Sequence, residues 1–306
     1  MLPAIFALEG PIITPSEARL FQQAQPLGFI LFGRNIECPE QVTALTSDLK
    51  SLLGRDCPIL IDQEGGRVQR LKPPHWPKWP AAGDYDDLEK LRTDMSALAK
   101  MLFSLGINVN CAPVLDLRFD VETDIIGDRA YSTDPAHVIQ AGQIVCDAFM
   151  QAGVTPVIKH LPGHGRARAD THFKEARIDA SLAELRRSDF IPFQHVKAPW
   201  GMIAHVILTA VDTLPVTLSP TAIGDIIRGE IGFEGILISD DLSMKALSAH
   251  GNIGEVALKC LQAGCDIALY CDGKLKDMEE IAKILPQMDD SLLKRLGDFA
   301  PINMHE

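Results

Sequence analysis

The stretch TPVIKH (155–160), followed by LPGHGRARADTH (161–172), decides how the rest of the chain is read. A short apolar run of this kind has the length of a strand buried on both faces, and here it ends abruptly in a cation and an imidazole. Pro162-Gly163-His164-Gly165 cannot continue as helix, so a tight loop must leave the strand end carrying polar side chains. Working outward, the same unit recurs at IFALEG (5–10), GFILF (28–32), PILID (58–62), INVNCAP (107–113), GMIAHV (201–206), GILISD (235–240) and CDIALY (265–270). That makes eight strands. Between them lie segments with apolar residues at three- and four-residue spacing and cap signals. These are 39–53, 87–105, the stretch capped by Asp134 and closed by Gly153, 181–196, 219–231, 253–261 and 276–285, which reads as the final helix.

Eight strand–helix units in one chain predict a single closed (β/α)₈ barrel over residues 1–306. A doubly wound open sheet is the competitor, but no GxGxxG turn follows the first strand. No repeat, low-complexity tract or linker marks a second domain. The Pro-rich stretch 73–80, with Trp76 and Trp79, reads as a structured loop whose indoles either stack a sugar face or simply pack.

Composition removes several function classes. A net charge of −12 over 306 residues argues against wrapping nucleic acid or lying on an anionic membrane. No apolar run approaches the ~18 residues that a membrane helix needs. The N-terminus lacks a basic region and carries Glu9 just after its apolar stretch, so no signal peptide is expected and the cytoplasm is. Seven scattered cysteines without a CxxC pair fit free thiols in a reducing compartment rather than a disulfide framework or a zinc site.

In a barrel, chemistry gathers at the C-terminal strand ends. The unusual polar residues fall there: Arg34-Asn35, Asp62-Gln63-Glu64 with Arg67 and Arg70, Asp116 and later Asp128-Arg129, Lys159-His160, His205, and Ser239-Asp240-Asp241. Six such ends converging on one mouth point to a polar ligand. Asp170 and His172 can hydrogen-bond to each other, so the carboxylate fixes the imidazole tautomer and aims its other nitrogen outward as acid or base. Of Asp240 and Asp241, adjacent at a strand end, one can face the barrel axis as nucleophile, base or anchor, and the other is free to cap a following helix. His160, His164, His172 and Asp170 could instead gather a metal, but no HxH follows the first strand, so no metal and no cofactor are expected.

The motifs IDQEGGRVQRL, IIGDRAYS, KHLPGHGRARADTH and ISDDLSM, in this order, resemble family 3 glycoside hydrolases. They are most similar to the bacterial β-N-acetylhexosaminidases that serve peptidoglycan recycling. The resemblance implies a cytoplasmic single-domain barrel and a retaining mechanism through a covalent glycosyl-aspartate. It implies Asp240 as nucleophile, His172 as general acid/base and Asp170 as the partner that orients it. It further implies Asp62, Arg70, Arg129, Lys159 and His160 as sugar-binding residues. The implied substrate is a small carbohydrate, a terminal N-acetylglucosamine on muropeptide or anhydromuropeptide fragments. A monomer or weak oligomer is expected. Leu161 and Thr171 stand where the family more often has Phe and Ser, and neither change removes a functional group.

Overall fold

The computed structural model describes residues 1–120, 125–167 and 175–298. Eight parallel strands form its centre: β1 (Leu2–Ala7), β2 (Pro26–Leu31), β3 (Ile59–Ile61), β4 (Val109–Asn110), β5 (Thr155–Leu161), β6 (Trp200–Ile203), β7 (Ile236–Ser239) and β8 (Ala268–Tyr270). They are hydrogen-bonded in the order β7-β6-β5-β4-β3-β2-β1-β8. The ring closes between β7 and β8 through a parallel bridge from Ile238 to Ile267, with the Ser239 amide donating to the Ile267 carbonyl at 3.0 Å. A closed ring excludes the open doubly wound sheet.

Alternation along each strand sorts its side chains into two cores. Ile5, Ile30, Leu60, Val109, Val157, Met202, Ile236, Ile238 and Leu269 fill the barrel interior, and the outward set packs under the helices. The interior is a packed core, so nothing passes through it. Period two then carries the inward series of β7 from Ile236 through Ile238 to Asp240, and that of β3 from Leu60 to Asp62. Apolar layers therefore give way to a polar layer at the C-terminal mouth. The close approach of β2 to its neighbour needs glycine at position 28, where a Cβ would meet the Pro58 carbonyl oxygen at 2.2 Å.

The helices follow the expected order with three differences. A helix at Pro15–Ala24, between β1 and β2, was not expected, although Thr14 and Glu17 form a capping box at its start. The segment 181–196 is broken into Leu182–Arg187 and Ile191–His195, because Pro192 cannot donate into a continuous helix and Asp189 is drawn inward as a buried partner for Arg166. The segment 276–285 is not the last helix. Another, Asp290–Asp298, brings Leu296 beneath the barrel with Met288, while Arg295 pairs with Asp266 at 2.6 Å. It plugs the N-terminal end of the barrel.

Candidate active site

At the mouth, Asp62, Arg70, Arg129, Lys159, His160 and Asp240 line one cavity of about 170 Å³, together with Glu64, His164 and Asp241. The five residues expected to bind sugar and the expected nucleophile are thus brought together. Asp170 and His172 lie outside the described residues.

Lys159 is 2% exposed and sits at the centre of the charge network. Its Nζ lies 2.8 Å from Asp62 Oδ1 and 2.6 Å from Glu64 Oε1. Arg129 meets Glu64 with two parallel bonds, both 2.9 Å, and Arg70 donates to Asp62 Oδ2 at 3.1 Å. Burial alone would raise both carboxyls. The charges of Lys159 and Arg70 outweigh it at Asp62, holding that group far below the usual carboxylate range, and those of Arg129 and Lys159 bring Glu64 to about 2. Both are therefore ionised acceptors, fit to accept hydrogen bonds from hydroxyls. Burial lowers the Lys159 pKa, but Asp62 and Glu64 reverse this and leave a fixed cation.

Glu64 was not among the expected site residues. Its partner Arg129 lies 65 positions away, so no local pattern pairs them. What places it is the turn after β3. Gln63–Gly65 pairs with Val68–Gln69, and Gly65 and Gly66 have φ of 105° and 54°. Side chains there would strike Pro80 and Ala81. Removing one partner from a buried ion cluster leaves uncompensated charge. Glu64→Gln should therefore cost about 3 kcal/mol of stability, read by denaturant unfolding, and raise KM. Unchanged values of both would show the cluster to be dispensable.

On β5 the register against β6 skips a residue between Lys159 and Leu161, so consecutive residues 159 and 160 both line the cavity. His160 Nδ1 lies 2.6 Å from Asp116 Oδ2, and the Asp116 carboxylate also accepts the backbone amides of His160 and His164. Asp116, 1% exposed, is thus the group that orients His160. Its own pKa is lowered because His160, reinforced by His164, overcomes burial.

Asp240 accepts the Asp241 amide at 2.8 Å on Oδ1. Burial pushes its carboxyl up, but the imidazoles of His205 and His160, the Asp241 amide and Lys159 together hold it below its ordinary value. It is an anion at neutral pH. Asp241 does not cap an α-helix. Its carboxylate accepts the Ser243 hydroxyl and the amides of Ser243 and Cys271, tying β7 to β8, and burial raises its pKa. His205 braces the same turn from below, with Nε2 2.9 Å from the Asp241 carbonyl and Nδ1 2.6 Å from Thr217 Oγ1.

Other polar strand ends serve the scaffold. Arg34 and Asn35 donate to the carbonyls of Leu8, Gly10 and Cys271 and lace the rim together. Trp76 and Trp79 are buried within their loop and line no part of this cavity.

His164 is 3% exposed, and burial followed by the nearby His160 lowers its pKa to about 4. An unfolded imidazole titrates near 6.5, so the unfolded chain takes up this proton first. The resulting stability is complete above pH 6.5 and is lost as pH falls toward 4. The loss amounts to up to ~3 kcal/mol. Unfolding free energies measured over that range should fall less in His164→Leu; identical slopes would contradict the burial.

Comparison with known proteins follows the same line. Residues 13–293 match the family model described as Glycosyl hydrolase family 3 N terminal domain. A protein named Beta-hexosaminidase from Alkalilimnicola ehrlichii is 37% identical over 313 residues, covering 98% of this chain and 86% of that one. NagZ from Neisseria gonorrhoeae, solved in complex with N-trifluoroacetyl-D-glucosamine, superposes with a TM-score of 0.88 at 29% identity, covering 98% of this chain and 90% of that chain. The same protein solved in complex with zinc ion gives 0.86 at 29% identity, covering 99% and 91%. With a family model spanning most of its length and a relative this similar throughout, the chain belongs to glycosyl hydrolase family 3 and is a glycoside hydrolase.

Proposed function

We propose that the chain is a retaining exo-β-N-acetylhexosaminidase, releasing terminal non-reducing N-acetylglucosamine from muropeptide or anhydromuropeptide fragments during cell-wall recycling in the cytoplasm. The observation that carries this reading is the ionised Asp240, standing at the end of β7 in the same small cavity as Asp62, Lys159 and His160. A small pocket walled by fixed acceptors and donors suits one sugar ring. Residues 1–306 act as one catalytic domain, as a monomer or weak oligomer.

In the reaction, Asp240 attacks the anomeric carbon as the glycosidic C–O bond breaks, and His172 gives its proton to the departing oxygen. His172, held by Asp170, then takes a proton from water, which displaces Asp240 and restores the β configuration. Histidine suits the role because its unperturbed pKa is ~6.5, whereas a carboxylic acid would need raising. Arg70 and Arg129 hold the two carboxylates that receive ring hydroxyls. The proton donor is a protein group, so exhaustive chelation should leave the rate unchanged. Activity lost on chelation and restored by zinc would contradict the mechanism.

Substrate class is tested with aryl glycosides of N-acetylglucosamine, N-acetylgalactosamine and glucose. The N-acetylglucosaminide should be cleaved with the highest kcat/KM. A plain glucoside cleaved best would refute the assignment.

A further inference from the structure

The Asp240-Asp241 dipeptide is gripped at both ends by β6 and the residues just beyond it. The Ile203 carbonyl accepts the Asp240 amide at 3.1 Å, and two residues further on His205 reaches the Asp241 carbonyl with Nε2 at 2.9 Å. Between these two points the Asp241 amide donates to Asp240 Oδ1 at 2.8 Å. That bond fixes the rotation of the carboxylate and leaves Oδ2 without a donor among the described residues. His205 is 1% exposed and stands behind the cavity wall, which Met202, Asp240 and Asp241 form there. It touches no sugar atom itself.

Its partners decide which ring nitrogen carries the proton. A carbonyl only accepts, so Nε2 must be the N–H. Burial, aided by His160, outweighs the pull of Asp240 and Asp241 and holds the His205 pKa below its ordinary value, so the ring is neutral at physiological pH. Nδ1 is then an acceptor. The buried Thr217 hydroxyl has two acceptors within reach, Nδ1 at 2.6 Å and the Ala204 carbonyl at 3.0 Å, and the shorter contact takes its proton. Held at both nitrogens, the ring has no rotation left to it.

We infer that His205 is a positioning residue for the nucleophile: its Nε2–H holds the Asp241 carbonyl, and so fixes the dipeptide with Asp240 Oδ2 aimed at the anomeric carbon. This rests on the reading of Asp240 as the attacking group. Reactivity depends steeply on such placement, since a reacting atom displaced by about 1 Å can lose ~10² in rate. Strain or looseness at residue 241 passes to Asp240 through a single amide.

The test is the rate at which a 5-fluoro glycosyl fluoride of N-acetylglucosamine labels the enzyme. In that step the anomeric C–F bond breaks as the Asp240 oxygen bonds to the carbon, and fluoride leaves with little need of a proton. The rate therefore reads attack by Asp240 rather than the acid. At saturating probe the first-order rate constant does not depend on how much of the protein is folded, whereas the amount of label does. His205→Leu should slow labelling by roughly 10- to 100-fold, and His205→Gln, which offers an amide N–H in place of Nε2, should restore most of the rate. An unchanged rate constant with fewer labelled molecules would show a merely structural role and overturn the inference. So would His205→Gln as slow as His205→Leu. If His205→Leu does not fold, Thr217→Val carries the test: it keeps the shape, frees Nδ1 and should slow labelling, and a wild-type rate constant there would overturn the inference. A wild-type enzyme that takes no label while it turns over substrate would overturn the covalent reading of Asp240, and this inference with it.

Discussion

Asp240→Asn should reduce turnover of an aryl N-acetylglucosaminide by at least ~10⁴-fold, since loss of an attacking group removes the covalent route altogether. The fold should survive. The carboxylate Oδ1 accepts one neighbouring amide, which the amide oxygen of asparagine can still do, and the ties between β7 and β8 run through Asp241 instead. Rates and unfolding curves measured on the same preparation separate the two roles. Near-normal activity in Asp240→Asn would remove it from the chemistry.

The second large effect concerns His172 and Asp170. If His172 protonates the departing oxygen, His172→Ala should slow a poor leaving group by ~10²–10⁴-fold while sparing an activated phenolate, which departs with little proton assistance. If Asp170 holds and polarises that imidazole, Asp170→Ala should show the same dependence. The double mutant should be little slower than His172→Ala alone, since residues that act as a unit are not additive. Equal slowing of both substrates with multiplying effects would refute the dyad and turn attention to His160, whose own carboxylate partner is Asp116.

How far the sequence spoke for itself depends on the range of each signal. Strand alternation is local: it left open which of Asp240 and Asp241 faces inward, the resemblance named Asp240, and the inward series Ile236 and Ile238 agrees with it, although Asp241 lines the cavity as well. Lys159 and His160 both reach the mouth for a reason that period two does not contain, namely the skipped register of β5 against β6. Glu64 counted among the polar strand-end residues but received no role, because its meaning lies in Arg129 and Lys159, each brought near by other strands. The helix Asp290–Asp298 escaped for a similar reason, since its Leu296 finds a hydrophobic partner only once the barrel exists above it. The helix Pro15–Ala24 is different: Thr14 and Glu17 announced it locally. Arg34 looked like a ligand group from its position after β2, yet the carbonyls of Leu8 and Cys271, from the two strands beyond, claim its guanidinium.

The central claim, a covalent sugar on Asp240, is tested most directly by trapping it. The enzyme would be incubated with a fluorinated glycoside that forms the intermediate quickly and releases it slowly, then digested and mapped by mass spectrometry. One sugar bound covalently to the peptide carrying 239–244, with fragmentation placing it on Asp240, is the predicted result. A label on Asp241, or turnover that inverts the anomeric configuration without any label, would contradict it.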